Sequence, residues 1–227
     1  MANVTVTAQF MLNTGELISM SGTLAEGTES ELQTSTTYST AATSLGQFAN
    51  GKVLTQIVQP PTAPNGIAYA YIERRGAIIC ALPVAIAGVQ DEPCAMPYPV
   101  QLQAGDTLQV LANTAANRTF AYSVITGSNV HAIFSGTPSG AGDTDLTHIL
   151  SGQSIGQSLT GQSIMSHFAT SVDGSKLSTG GVLCLNDRGL PVGGCSAVNP
   201  ANLQGKFNSL GGYSVNLNFV ARVTTSS

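Results

Sequence analysis

Strict alternation of apolar and polar residues is the clearest signal in the chain, and it is strongest near the two ends. Val4, Val6, Ala8, Phe10 and Leu12 share one side of a two-residue period, with Thr5, Thr7 and Gln9 on the other. This predicts a half-buried β-strand. Val215, Leu217, Phe219, Ala221 and Val223 alternate in the same way with Ser214, Asn216, Asn218, Arg222 and Thr224, predicting a second sheet strand. Between them, residues 67–72, 77–87, 98–103, 107–112, 119–125 and 129–134 are rich in β-branched and aromatic side chains and read as strands. Turn signals separate them at Pro64-Asn65-Gly66, Ala104-Gly105-Asp106, 113–117 and Thr126-Gly127-Ser128. The helix candidate of the first half is 39–49, a short connector with Ala41, Leu45 and Phe48 on one face. Short strands at this spacing, without intervening helical periods, predict an all-β antiparallel sandwich or barrel.

The pattern changes after Phe134. Residues 136–142 form a Gly/Ser-rich loop, and Gly-Gln-Ser then occurs at Gly152, Gly156 and Gly161, each copy followed by one apolar residue: Ile155, Leu159 and Ile164. Each glycine costs a helix about 1 kcal/mol relative to Ala. Residues 146–168 are therefore expected to be an irregular arm with at most one helical turn near Leu146, Ile149 and Leu150. A strand resumes at 181–185, followed by turn chemistry at Asn186-Asp187-Arg188-Gly189 and Gly193-Gly194. The expected organisation is a β-sandwich core over 1–137, an arm over 138–180, and C-terminal strands over 181–227 that return to the core or reach a neighbouring subunit.

Charge alters this picture most. Asp, Glu, Lys and Arg make up 9% of the 227 residues, against about 25% in an ordinary soluble domain. A surface of neutral hydroxyls and amides loses little hydration energy when another chain covers it, because few full charges must be desolvated. With a net charge of −4 and eight basic residues, the chain has no stripe to neutralise phosphates, so direct nucleic-acid binding is not expected. The longest apolar run, 76–89, contains Pro83 and falls short of the roughly 20 residues of a membrane helix. The N-terminal residues enter a strand pattern without a signal-peptide pattern, which predicts synthesis in the cytosol. Cys80 with Cys94, and Cys184 with Cys195, are spaced for local disulfides if their Cα atoms come within about 7 Å. No C-x-x-C motif is present, and buried free thiols are the expectation for a chain made in the cytosol.

Candidate chemistry is sparse. Gly152-Gln153-Ser154-Ile155-Gly156 fits the nucleophile-elbow pattern, but that elbow requires an α/β sheet with an acid and then a histidine downstream. The histidines are His131, His148 and His167, and none follows Asp173 or Asp187, so Ser154, His167 and Asp173 have the wrong order. Asp143, Asp145 and His148 could hold a cation but match no closed site, and a helix N-cap is the expected role for this stretch. His131 is expected on a sheet face. Gly174-Ser175-Lys176 lacks the setting of a P-loop, and Asp91-Glu92 beside Pro93 reads as an exposed turn. The sequons at Asn3 and Asn117 matter only in a secreted protein. The expectation is a protein that is not an enzyme, with no catalytic, cofactor or metal residues and no cofactor.

The segment Val100-Gln-Leu102-Gln-Ala104-Gly105-Asp106-Thr107-Leu108-Gln109-Val110 joins two alternating strands around Ala-Gly-Asp. It resembles hairpins of viral jelly-roll proteins, and the charge-poor Ser/Thr/Gly/Ala composition, the absence of Trp and the Gly-Gln-Ser arm resemble small virion shell proteins. The resemblance implies a jelly-roll capsid or capsid-associated subunit of a bacterial or archaeal virus. Its location would be the virion, after synthesis in the host cytoplasm. Its partners would be copies of itself, with a trimer as one arrangement, and other virion proteins, with no nucleic acid bound directly. Two alternatives from other classes stand beside it. One is a pilus-like filament subunit that donates its N-terminal strand; the other is a carbohydrate- or receptor-binding sandwich with exposed aromatic platforms.

Overall fold

A computed structural model describes residues 3–25, 28–34, 44–48, 52–63, 67–82, 85–86, 94–112, 119–138, 142–172, 180–196 and 208–225. The chain divides into two compact units, Met1–Thr114 with Pro200–Lys206, and Ala115–Asn199 with Phe207–Ser227. The division falls at Thr114 rather than after residue 137, so the strands over 119–136 belong with the C-terminal half. The architecture is all-β, as the alternation predicts.

Unit 1 contains β1 (Asn3–Leu12), β2 (Leu17–Ala25), β3 (Glu29–Thr34), a 3-10 turn (Leu45–Phe48), β4 (Val53–Ala63), β5 (Ile67–Arg74), β6 (Ala77–Leu82), β7 (Ala85–Ile86), β8 (Cys94–Gln101) and β9 (Thr107–Ala112). Hydrogen bonding connects them in the order β6-β5-β9-β3-β2-β1-β4-β7, with β8 also on β4. Pairing is antiparallel except for the short β4–β7 pair. Strand β3 turns a corner: Glu29 to Leu32 pair with β9, while Gln33 and Thr34 pair with β2. Strands that change partner in this way let one hydrogen-bonded path fold over a core.

In β1, Val6, Ala8, Phe10 and Leu12 are buried as expected; β2 adds Ile18, Met20 and Leu24, and β9 adds Leu108 and Val110. Neither β2 nor β4 is foreseen by the pattern analysis. Strand β4 carries Pro60 and Pro61, which cannot donate to a ladder, and the register against β1 shifts between the pairs Gln9↔Gln59 and Thr7↔Thr62, placing both prolines in a bulge. The predicted 39–49 connector is described over its second half, the 3-10 turn, with Leu45 buried.

Unit 2 contains β10 (Thr119–Thr126), β11 (His131–Gly136), β12 (Gly142–Asp145), β13 (Thr147–His148), α1 (Ile155–Leu159), β14 (Ser163–Val172), β15 (Gly180–Leu185), β16 (Pro191–Ser196), β17 (Asn208–Ser214) and β18 (Val220–Thr225). One sheet runs β13-β11-β10-β14-β17 and the other β12-β18-β15-β16. Their facing side chains form one core: Phe120, Tyr122, Val124, Ala132, Phe134 and Ile164 from the first sheet, and Val182, Cys184, Ala221 and Val223 from the second. This is a two-layer sandwich.

Residues 142–172 do not form an irregular arm. They hold two short strands, a capped helix and the ten-residue β14, which lies between β10 and β17. The three Gly-Gln-Ser copies do three different jobs. In the first, the Gln153 carbonyl accepts from the His148 amide at 2.8 Å and Ser154 caps α1. In the second, Gly156 sits so close to the chain that a Cβ would fall 2.3 Å from the Leu217 carbonyl oxygen. Its amide donates to the Phe219 carbonyl at 2.9 Å, satisfying a helix-end donor. In the third, Gly161 N–H donates to Val215 and Gln162 C=O accepts from Val215, locking the entry to β14. Turn-forming residues thus occupy the junctions of packed elements.

The C-terminal alternation is interrupted. The Asn216 side chain accepts from Asn218 N–H, and Phe219 N–H donates to the Asn216 carbonyl, making a turn that leaves Leu217 62% exposed. Phe219, Ala221 and Val223 are buried, and β18 pairs with β12 and β15 inside its own unit. No described helix is long and apolar enough to cross a membrane.

Candidate functional site

Ser154 Oγ is the N-cap of α1, accepting from Gln157 N–H at 3.2 Å, while the Gln157 side chain accepts from Ser154 N–H at 3.0 Å. This reciprocal capping box is what Ser-x-x-Gln before an apolar turn encodes. The serine follows no strand-to-helix elbow of an α/β sheet. His167 lies on β14, facing the unit 2 core, and Asp173 lies outside the described residues, as do Asp91, Glu92, Asn117 and Gly174-Ser175-Lys176. Asn3 begins β1.

The Asp143, Asp145 and His148 stretch is strand rather than helix cap. Asp143 and Asp145 are exposed on β12, paired with β18, and Arg222 Nε donates to Asp145 at 2.6 Å. His148 Nδ1 accepts from the Leu150 and Ser151 amides, both at 3.3 Å, and its ring stands edge-on to Phe134. Each group is committed to the fold, and among the described residues no cluster of acids, histidines and cysteines could hold a metal. His131 opens β11 and is buried, which pushes its imidazole down to about 4. Cys80 and Cys184 are buried free thiols, as expected, and neither of the two possible local disulfides forms; the Cys94 and Cys195 side chains lie outside the described residues.

One polar constellation escapes the sequence patterns. Tyr122 Oη on β10 lies 2.8 Å from His167 Nδ1 on β14 and 3.4 Å from Cys184 Sγ on β15, linking the two sheets of unit 2 within the core. Tyr213 adds its ring edge-on to His167 at 6.3 Å. Burial lowers the proton affinity of His167 and raises the Cys184 thiol to about 11, the latter opposed by the Tyr122 hydrogen bond. Neutral histidine, phenol and thiol satisfy one another there, which is how polar groups persist in a core. All three are buried.

The features that suit contact with another chain lie on the periphery. The described cations are largely neutralised within the chain: Lys52 pairs with Glu16, Arg74 with Asp106, and Arg222 with Asp145. Among the described residues, strand β16 is the end of its sheet and pairs with β15 alone. It carries no charged residue; Leu190 just before it is 56% exposed and Val192 within it 42% exposed. At the end of the other sheet, β17 pairs among the described residues with β14 alone and is also uncharged. Edge strands are normally guarded by charge, proline, bulges or cover, because unpaired backbone groups recruit other chains; β16 has Pro191 at its start and a bulge at Val192 but no charge. Comparison with family models, with curated proteins and with solved structures yields no match.

Proposed function

We propose that the chain is a non-catalytic structural subunit that assembles with copies of itself into a virus shell, as a capsid or capsid-associated protein of the virion. The observation that carries this reading is the uncharged β16 edge with exposed Leu190 and Val192, on a chain whose described cations are mostly paired internally. Such an edge gains backbone hydrogen bonds and apolar burial from a neighbour at little desolvation cost. Many weak identical contacts then add up in a closed assembly.

The filament reading fares less well, because β1 is paired along its length with β2 and again with β4 and is not free for donation. The binding-module reading lacks its platform: among the described residues, the exposed large apolar side chains are all aliphatic or Met. Size-exclusion chromatography with light scattering, followed by negative-stain imaging, tests the proposal. Closed shells or rings that Val192→Lys weakens are expected. A chain that stays monomeric at high concentration would overturn it.

A further inference from the structure

All three histidines of the chain lie on one sheet, His131 on β11, His148 on β13 and His167 on β14. None of the five strands of that sheet contains Asp, Glu, Lys or Arg, nor do β15 and β16 of the facing sheet. We propose that this sheet is an acid-sensitive element, in which the Tyr122–His167–Cys184 network is a clasp between the two layers that proton uptake at His167 releases.

Among the described residues, the groups facing His167 are few and neutral. From β10 come the Tyr122 hydroxyl and, directly opposite in register, Val124; from β17 comes the Tyr213 ring; from β15 comes Cys184 through Tyr122. The titratable members are two phenols and a thiol, with no carboxylate among them. A proton taken from solvent onto the imidazole therefore creates a buried cation with no counter-charge among the described residues, which a folded core tolerates only by opening or hydrating. His148 adds a geometric reason of its own. Its Nδ1 accepts two backbone amides, and protonation there removes the acceptor that holds the 148–151 turn.

The direction of the pH effect follows. Burial holds all three imidazoles below their ordinary value of about 6.5, His131 at about 4. The unfolded chain then binds protons that the folded one refuses, so stability is complete above about pH 6.5 and falls as pH drops from there toward the folded values. Each such histidine raises the opening constant by up to about tenfold per pH unit within that window.

The test uses the full-length protein and a pyridyl disulfide that reacts at acidic pH, with modification resolved site by site by mass spectrometry. Cys184 labelling should rise from pH 7.5 to pH 5.0, relative to Cys80, a buried thiol of unit 1 that serves as internal reference. In His167→Asn, which keeps a polar atom near the Nδ1 position but cannot take up the proton, the rise should flatten. Should that variant fail to fold, the imidazole titration of His167 by NMR in the native chain decides, with a midpoint below 6.5 expected. A Cys184/Cys80 labelling ratio that stays level or falls with acidification would overturn the proposal. So would a variant whose ratio climbs like the parent's, or a His167 midpoint at or above 6.5.

Discussion

Unit 1 holds eight acidic and four basic residues and no histidine, whereas unit 2 holds four of each and all three histidines. The whole net charge of −4 thus resides in unit 1, and unit 2 is formally neutral. The difference reaches the interiors. Unit 1 buries the Asp106 carboxylate completely and satisfies it with Arg74 Nε at 2.7 Å, Arg74 Nη2 at 2.8 Å and the Gln103 amide at 2.8 Å, and the Tyr71 hydroxyl donates to Glu29. Unit 2 buries neutral groups that share hydrogen bonds and keeps its one described ion pair, Asp145 with Arg222, at the surface. Two all-β units can therefore be specified by opposite kinds of polar burial: a carboxylate paired with a guanidinium, or uncharged groups whose neutrality depends on pH.

The largest effect should come from breaking the charged arrangement. Asp106→Ala leaves Arg74 and the Gln103 amide without their partner, and should cost about 3 kcal/mol or more in urea unfolding, as loss of one member of a buried pair does. A cost below about 1 kcal/mol would show that the carboxylate is incidental. Next, Gly46 donates its amide to the Asp106 carbonyl at 2.7 Å, and a Cβ there would lie 2.5 Å from Asp106 N and 2.7 Å from Gln103 O. Every obstructing atom is backbone, so Gly46→Ala should lower stability by about 2 kcal/mol, read as a drop in melting temperature. In unit 2, Ser154→Ala removes the α1 cap and should cost about 1 kcal/mol. Smallest is Asp145→Asn, which should change unfolding by no more than about 0.5 kcal/mol because both partners are more than a third exposed. If it rivals Asp106→Ala, the contrast between the units fails.

Much of the fold is legible in the residues, for particular reasons. β9 matches its predicted span to the residue, and β1, β5, β10 and β15 lie within a few residues of theirs, because alternation or β-branched runs mark them directly. β14 stays hidden because Ser163, Ser166 and His167 mix polar residues into it, and the register slips between Ile164 and Ser166. β4 stays hidden behind its paired prolines. The Tyr122–His167–Cys184 network is not visible locally, since its members stand 45 and 62 positions apart and meet only when β14 and β15 pack beside β10. His167 gives little clue by itself, because it stands among Ser163, Ser166 and Thr170 in a stretch that reads as an arm.

The recurring Gly-Gln-Ser tripeptide looks interchangeable on paper, and short tandem echoes are where a coding sequence gains or drops a unit during copying. Each copy is fitted to its own neighbour: His148 for the first, Leu217 and Phe219 for the second, Val215 for the third. A lineage that lost any one could not heal by sliding the next into place. The echo is a resemblance of spelling, and selection should hold the number of copies at three.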